Sequence, residues 1–334
     1  MTLASVGDMA QQFRSLRDGN AIKTELNALV ESLSSGKVAD LTEALNGDTV
    51  RFSGIRYSLS QLDGYRQAAS ETQQTLANIQ IVLGKVDSSR SAAAERLLLV
   101  NDGSSAAQIN EATNAARGTF DEIVLALNTQ IADRALMAGN GVGAAPLANS
   151  ETILADIQAA IGGAIDQATI SATVEAWFND PAGGFFTSGY LGDTAAPLER
   201  RVSDNRTVVI DARADDPAIR QVLQGAALAA LAKELPGLSQ ETKSGLLQEA
   251  ASQLYGSASD LVAVQERIGF VEASVERSMA ETNAQQTSLR LAQNELNLAD
   301  PFETASQLQA TQQQLETFFS VTARMSQLSL LRFI

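Results

Sequence analysis

Few side chains in this sequence are of types and spacings that could do chemistry. Ser34-Ser35-Gly36-Lys37 places a serine three residues before a lysine, the spacing of a hydroxyl nucleophile with an amine base. Such a pair also needs further catalytic groups that the sequence does not supply. The same four residues make a helix stop, with Gly36 at the C-terminus and the lysine in solvent. Asp211, Asp215 and Asp216 could offer oxygen ligands, yet the glycine and terminal glutamate of a calcium loop are missing, and Asp216 before Pro217 reads as a helix cap. Asn205-Arg206-Thr207 fits the N-glycosylation pattern, which arises often by chance. Gly183-Gly184 and the glycines at 139–143 lack the lysine of a phosphate loop.

The 334 residues include no cysteine and no histidine, which removes disulfides, thiolate nucleophiles, Cys-ligated zinc and the commonest general base. Enzyme readings therefore start well behind, and no catalytic, cofactor or metal site is expected from these candidates. Lack of cysteine suits a reducing cytosol or a protein exported unfolded. Hydrophobic residues are 45% and aromatics only 5%, which favours long helices packed through small side chains. The net charge of -15 argues against nucleic acid as a partner. That charge is uneven: residues 1–36 and 300–334 each carry -1, leaving -13 for the middle. Near-neutral ends can crowd together while an acidic middle keeps the rest in solution. Neither a secretory signal peptide nor a membrane span is visible, so no membrane insertion is expected.

The elements follow from the spacing of apolar residues. A first helix runs to Ser34, and residues 38–54 form a connector with a turn at Asn46-Gly47-Asp48. From Leu62 to Val100 apolar positions alternate by three and four, predicting a rod about 60 Å long at 1.5 Å per residue. Asn101-Asp102-Gly103 ends it, and Ser105 with Gln108 offers a capping box for an antiparallel helix reaching Ile131. The glycine-rich run to Pro146 is a boundary. Beyond it, Ile153, Ile157, Ile161 and Ile165 stripe a short helix, Thr173 to Phe178 extend a second, and Asp180 to Gly184 break the chain. Trp177, Phe178, Phe185, Phe186 and Tyr190 are expected to fill the core of this part rather than to form an exposed patch. Thr207–Ala212 predicts a strand, and Asp216 caps a helix to Glu234. The alternation then returns from Leu247 to Leu296 as the partner rod. Asp300-Pro301 marks the joint to the last helix.

Both terminal helices carry seams. Met9, Phe13 and Leu16 form one, and Ile22, Leu26, Leu29 and Leu33 another, with a phase slip between them. Ala305, Leu308, Leu315, Phe319, Thr322, Met325, Leu328 and Leu331 stripe the other end. The apolar run from Leu328 to Ile334 covers more than one face, which one partner helix could not bury. The expected assembly surface is Phe13, Leu16, Leu26, Leu29, Leu33, Leu308, Leu315, Phe319, Met325, Leu328 and Leu331. The fold is expected to be mainly α: a long antiparallel helical bundle or coiled coil formed by both chain ends, with a smaller α+β domain inserted in the middle. Residues 1–40 and 300–334 are the assembly segments, 41–138 and 239–299 the rod, and 139–238 the insert.

This nested plan, Leu33-Ser34-Ser35-Gly36-Lys37 after the first helix, and Asn297-Leu298-Ala299-Asp300-Pro301-Phe302-Glu303 before a helix ending Ser329-Leu330-Leu331-Arg332, resemble the bacterial flagellin family, which includes the hook-associated proteins. Ser-Ser-Gly-Lys and Asp-Pro-Phe-Glu look more like members at the hook–filament junction than like the filament subunit. The resemblance implies an extracellular, non-enzymatic protein of the flagellum, exported by the flagellar pathway without a cleaved signal peptide. Its ends would be disordered in the monomer and helical in the assembled tube. The implied partners are hook-associated protein 1, flagellin, further copies of itself and an export chaperone. Filament flagellin is one alternative; a secreted coiled-coil binding module using residues 177–190 is another.

Overall fold

The computed structural model describes residues 6–331 apart from 45, 46, 48, 102, 142, 195 and 196, and leaves out the side chains of residues 6–8, 11, 43 and 326–331. The described residues form ten α-helices, one turn of π-helix and two small antiparallel hairpins, so the fold is mainly helical. Two compact units are formed, one from residues 1–63 with 284–334 and the other from residues 64–283.

The first unit contains α1 (Val6–Ser35), the short α2 (Leu41–Ala44), the start of α3 (Val50–Leu98), the end of α9 (Ala258–Asn297) and α10 (Pro301–Leu331). Its principal contact is α1 against α10. Asn46 and Asp48 of the expected turn lie outside the described residues. Helix α3 begins at Val50, well before Leu62, because an isolated Gly54 or Gly64 costs a helix only about 1 kcal/mol, which the rest of a long helix absorbs.

In the second unit, α3 is followed by α4 (Ala106–Leu127), whose N-terminus is held by the full Ser105–Gln108 capping box. Ser89 on α3 donates to Glu122 on α4 at 3.3 Å, as an antiparallel pair requires. Helix α4 stops at Leu127, short of the expected Ile131, which lies in β1 (Gln130–Ile131) paired with β2 (Arg134–Ala135). The intervening Ala132 and Asp133 both have positive φ, 48° and 59°, as a tight primed turn demands. Alanine is not a turn signal, so this hairpin was invisible in the pattern. The Asn128 side chain then closes the glycine-rich loop by bonding both the N–H and the carbonyl of Leu147, at 2.9 and 3.0 Å.

Helix α5 (Ser150–Ile161) is capped by Asn149 and ends at Gly162 in the left-handed region, which leaves Ile165 outside the helix and exposed. Helix α6 (Gln167–Asn179) is longer than the predicted Thr173–Phe178 because Asp166 caps it upstream. A turn of π-helix at Phe185–Gly189 and the hairpin β3 (Leu198–Ser203) with β4 (Arg206–Ile210) lead to α7 (Pro217–Glu234), capped by Asp216 as expected.

Helix α7 is apolar on almost every side and buries Ile219, Val222, Leu223 and the run from Gly225 to Ala232. It packs on both α4 and α8 (Gln240–Gly256), so one core joins residues 139–238 to the helices flanking them in sequence. A Cβ at Gly225 would lie 3.1 Å from Leu254, which shows how closely α7 and α8 approach. The predicted rod from Leu247 to Leu296 is two helices, α8 and α9, parted at Ser257. Arg90 on α3 explains the break. Its guanidinium is buried, donates to the Leu254 carbonyl at 2.8 Å and is paired with Asp87 at 2.7 Å. The Ser257 hydroxyl takes the same carbonyl at 2.9 Å. α9 shares the core with α3 through Leu261, Val264, Ile268 and Val275, and Gln80 donates to the Gln265 carbonyl at 3.0 Å.

Candidate assembly surface

The catalytic and metal candidates have structural work. Ser34 donates to the Glu31 carbonyl at 3.0 Å, and Ser35 exchanges bonds with the backbone of Lys37 at 3.2 and 3.3 Å. Both hydroxyls therefore finish α1, which ends where Gly36 takes φ 68°. Asp211 and Asp215 pair with Arg213 at 3.6 and 3.3 Å, while Asp216 caps α7 and pairs with Arg267, so arginines occupy the positive role a metal would have. Among the described residues no group of three or more acidic side chains could hold a metal ion.

Burial pushes the Asp215 carboxyl above its ordinary 3.8, with Arg213 offsetting part of the effect. A carboxyl that titrates higher in the folded state weakens the fold once ionised. That penalty is absent below the ordinary carboxyl range and complete above the raised value. Asp215→Asn is expected to raise the melting temperature at pH 7 and to leave it unchanged near pH 3. A fall at pH 7 would mean that the ion pair outweighs desolvation.

The aromatic window is core. Trp177, Phe178, Phe185 and Tyr190 are buried and touch one another, with Trp177 edge-on to Phe178 at 4.8 Å between ring centres. This leaves no exposed aromatic patch there for a ligand.

The terminal pair is built differently. Where α1 stops, Val38 N–H donates to the Asn297 carbonyl at 2.9 Å and Ala299 N–H to the Gly36 carbonyl at 3.1 Å, a short antiparallel bridge. Buried Ser32 accepts from Ala39 N–H at 3.0 Å. Asp300 then starts α10 by accepting from the N–H groups of Phe302 and Glu303 at 2.8 and 3.2 Å. From this joint α10 returns antiparallel to α1. The covered positions are Gly19, Ile22, Leu26, Leu29 and Ser32 on α1, against Thr304, Leu308, Thr311, Leu315 and Phe318 on α10. The α10 row alternates by fours and threes and the α1 row steps 3, 4, 3 and 3, close to the spacing of a coiled-coil seam. Gly19 lets Phe318 come close: a Cβ there would lie 2.8 Å from the ring.

Of the residues expected to form an assembly surface, Leu26, Leu29, Leu308 and Leu315 are half-buried in this intramolecular seam. Phe13, Leu16, Leu33, Phe319 and Met325 are exposed, Phe13 at 66%. The side chains of Leu328 and Leu331 lie outside the described residues. Sequence reasoning missed Thr304, Thr311 and Phe318. Thr311 fits the spacing between Leu308 and Leu315 but is polar, and Phe318 was passed over for its neighbour Phe319, whose ring instead lies under Lys23 at 5.6 Å. Met9, Val30 and Val321 add to the exposed apolar area. A seam holding a glycine, a serine and two threonines among its leucines covers little apolar surface, and what remains outside is suited to binding further helices.

Fold and surface together define a helical protein whose paired chain ends carry uncovered apolar faces. Residues 247–334 match the family model of the bacterial flagellin C-terminal helical region. The fold is similar to that of a solved flagellar hook-associated protein from Vibrio parahaemolyticus, with a TM-score of 0.51 at 10% identity, covering 74% of this chain and 96% of the other. Among curated proteins none matches this chain in sequence. Among the described residues no helix is long and apolar enough to cross a membrane.

Proposed function

We propose that the chain is a structural subunit of the bacterial flagellum, of the flagellin and hook-associated type, and that it assembles through α1 and α10. The observation that carries this reading is the family match over residues 247–334, which spans α10 and its exposed Phe319 and Met325. The near-neutral charge of both ends supports it, since copies can be brought together there with little repulsion.

Within that class we place the protein at the hook–filament junction, as a hook-associated protein 3, on the resemblance of Ser34-Ser35-Gly36-Lys37 and Asp300-Pro301-Phe302-Glu303 to junction members. It would stack on hook-associated protein 1, accept flagellin above, pass through the flagellar export channel and be held by a chaperone before export. Its ends would be disordered until assembly. Electron microscopy of the purified protein added to hooks capped with hook-associated protein 1 tests this reading. A layer of fixed height that then accepts flagellin is expected. Long filaments of this protein alone would make it a filament subunit, and failure to attach or polymerise would overturn the flagellar reading.

A further inference from the structure

The tip of the β3–β4 hairpin grips two helices at once. Its inner face seats Val202, Val208 and Ile210 in the core of the second unit. The strand register slips between Arg201 and Ser203, so Val202 is the extra residue of a bulge, which re-aims the side chains beside it. On one side, Arg201 lies over the ring of Tyr65 on α3, 5.7 Å from its centre. Arg201 also donates at 2.8 Å to the Asp204 carboxylate, which accepts from the Tyr65 hydroxyl at 3.3 Å. Arg206 reaches the other way. It donates to the Ser278 hydroxyl and the Ser274 carbonyl on α9 at 3.2 and 3.4 Å, and pairs with Glu281 at 3.5 Å.

The two grips are level. Gln80 lies opposite Gln265, Tyr65 is 15 residues back along α3 and Ser278 is 13 residues on along α9, distances equal within about 3 Å at 1.5 Å per residue. The seam between α3 and α9 is weak at this height. Further along it is filled by Leu76, Ile79 and Leu83 against Leu261, Val264 and Ile268. Toward the tip, beyond Val275, the buried residues are Ala69 and Thr72 on α3 and Ser278 and Thr282 on α9. Such small and hydroxyl-bearing side chains bury little apolar area, so the helices gain little there from their own contact. The second unit ends just past this stretch, at Gly64 and Asn283.

We propose that the β3–β4 hairpin is a strap that closes α3 and α9 over this stretch, and that release of its tip lets both helices open there while the rest of the core stays folded. The grip is suited to release. Arg201 and Asp204 are mostly exposed and so is half of Glu281, and ion pairs of that kind each contribute little. The inference concerns the second unit alone and stands or falls independently of how the chain ends assemble.

Hydrogen exchange of the full-length chain, read by mass spectrometry, tests the strap, with Trp177 emission reporting whether the core is folded. In the parent, the hairpin tip, residues 64–72 of α3 and residues 275–283 of α9 are expected to exchange through one opening, with the same dependence on urea. Arg206→Ala, whose lost bonds are to α9, is expected to speed exchange about fivefold or more on α3 as well as on α9. Arg201→Ala is expected to do the same from the α3 side. Glu199→Gln, on the exposed face of β3, is expected to change neither helix. Trp177 emission is expected to stay that of the parent in all three. Acceleration confined to the helix that each arginine touches, or none at all, would overturn the strap. So would different urea dependences of the three segments in the parent, or an unfolded Trp177 environment in either arginine variant, since release of the tip would then not be local.

Discussion

Gly184→Ala is expected to destabilise the protein by about 3 kcal/mol or more, at the upper end of overpacking costs. A methyl group on Gly184 would lie 1.9 Å from the indole nitrogen of Trp177 and 2.4 Å from the adjoining ring carbon. The ring has little room to shift, because its far edge is also close to Gly189, where a Cβ would lie 2.8 Å from the indole. Phe178 and Phe185 close the remaining directions, with ring centres at 4.8 and 6.2 Å from that of Trp177. Gly184 has φ -60° and ψ -29°, values any residue adopts, so the cost comes from packing and not from the backbone. Gly143→Ala is the control: nothing lies within 4 Å of its Cβ position, and a change within about 0.5 kcal/mol is expected. Denaturant unfolding followed by the emission of the single tryptophan measures both variants. Equal stability of the two would contradict the close packing of Trp177 between the glycines.

Arg90→Ala is expected to cost about 3 kcal/mol, the loss typical of a broken buried charge pair, moderated here because Asp87 stays partly in water. Arg90 fills a buried position in a mostly apolar row on α3 and is the group that reaches across to the end of α8. Its removal takes away a charge-assisted bond to the Leu254 carbonyl and leaves a cavity the length of the side chain. Ser257 keeps one bond to that carbonyl, which holds the loss below that of a fully orphaned group. Arg90→Lys is expected to recover only a fraction, since an ammonium cannot hold Asp87 through two nitrogens and the carbonyl through a third. Thermal unfolding of the three proteins is the check, and an Arg90→Ala change within about 0.5 kcal/mol would mean that α8 and α9 part for another reason.

The features legible in the sequence are those decided within a few residues. Ser105 with Gln108, Asp216 before Pro217 and Asp300 before Pro301 act on backbone groups two or three positions away, and Gly36 ends α1 through its own positive φ, so residue type and spacing suffice. Features decided by tertiary contact were not legible. The break at Ser257 lies inside an unbroken heptad pattern, and only the arrival of Arg90 from α3 reveals it. The β1–β2 turn uses Ala132 in a conformation alanine seldom takes. Spacing and capping marked α7 as a helix, but nothing in its own residues says that α4 and α8 would cover it.

The terminal seams show the same division at the candidate site. Spacing alone placed Leu26, Leu29, Leu308 and Leu315 on helical stripes. It could not tell which apolar residues face the chain's own partner helix, because that depends on the register set by the bridge between Lys37 and Leu298. Thr304 and Thr311 were overlooked because a polar residue in a seam is recognised only when its burial is seen.

The central claim is that the ends serve assembly while residues 64–283 hold their own core. Its most direct measurement compares the full chain with one trimmed of residues 1–36 and 300–334, following the melting of the Trp177 environment and association by sedimentation in the same samples. The account predicts an unchanged melting temperature for the Trp177 core and complete loss of self-association. A trimmed chain whose core collapses, or that still associates, would contradict it.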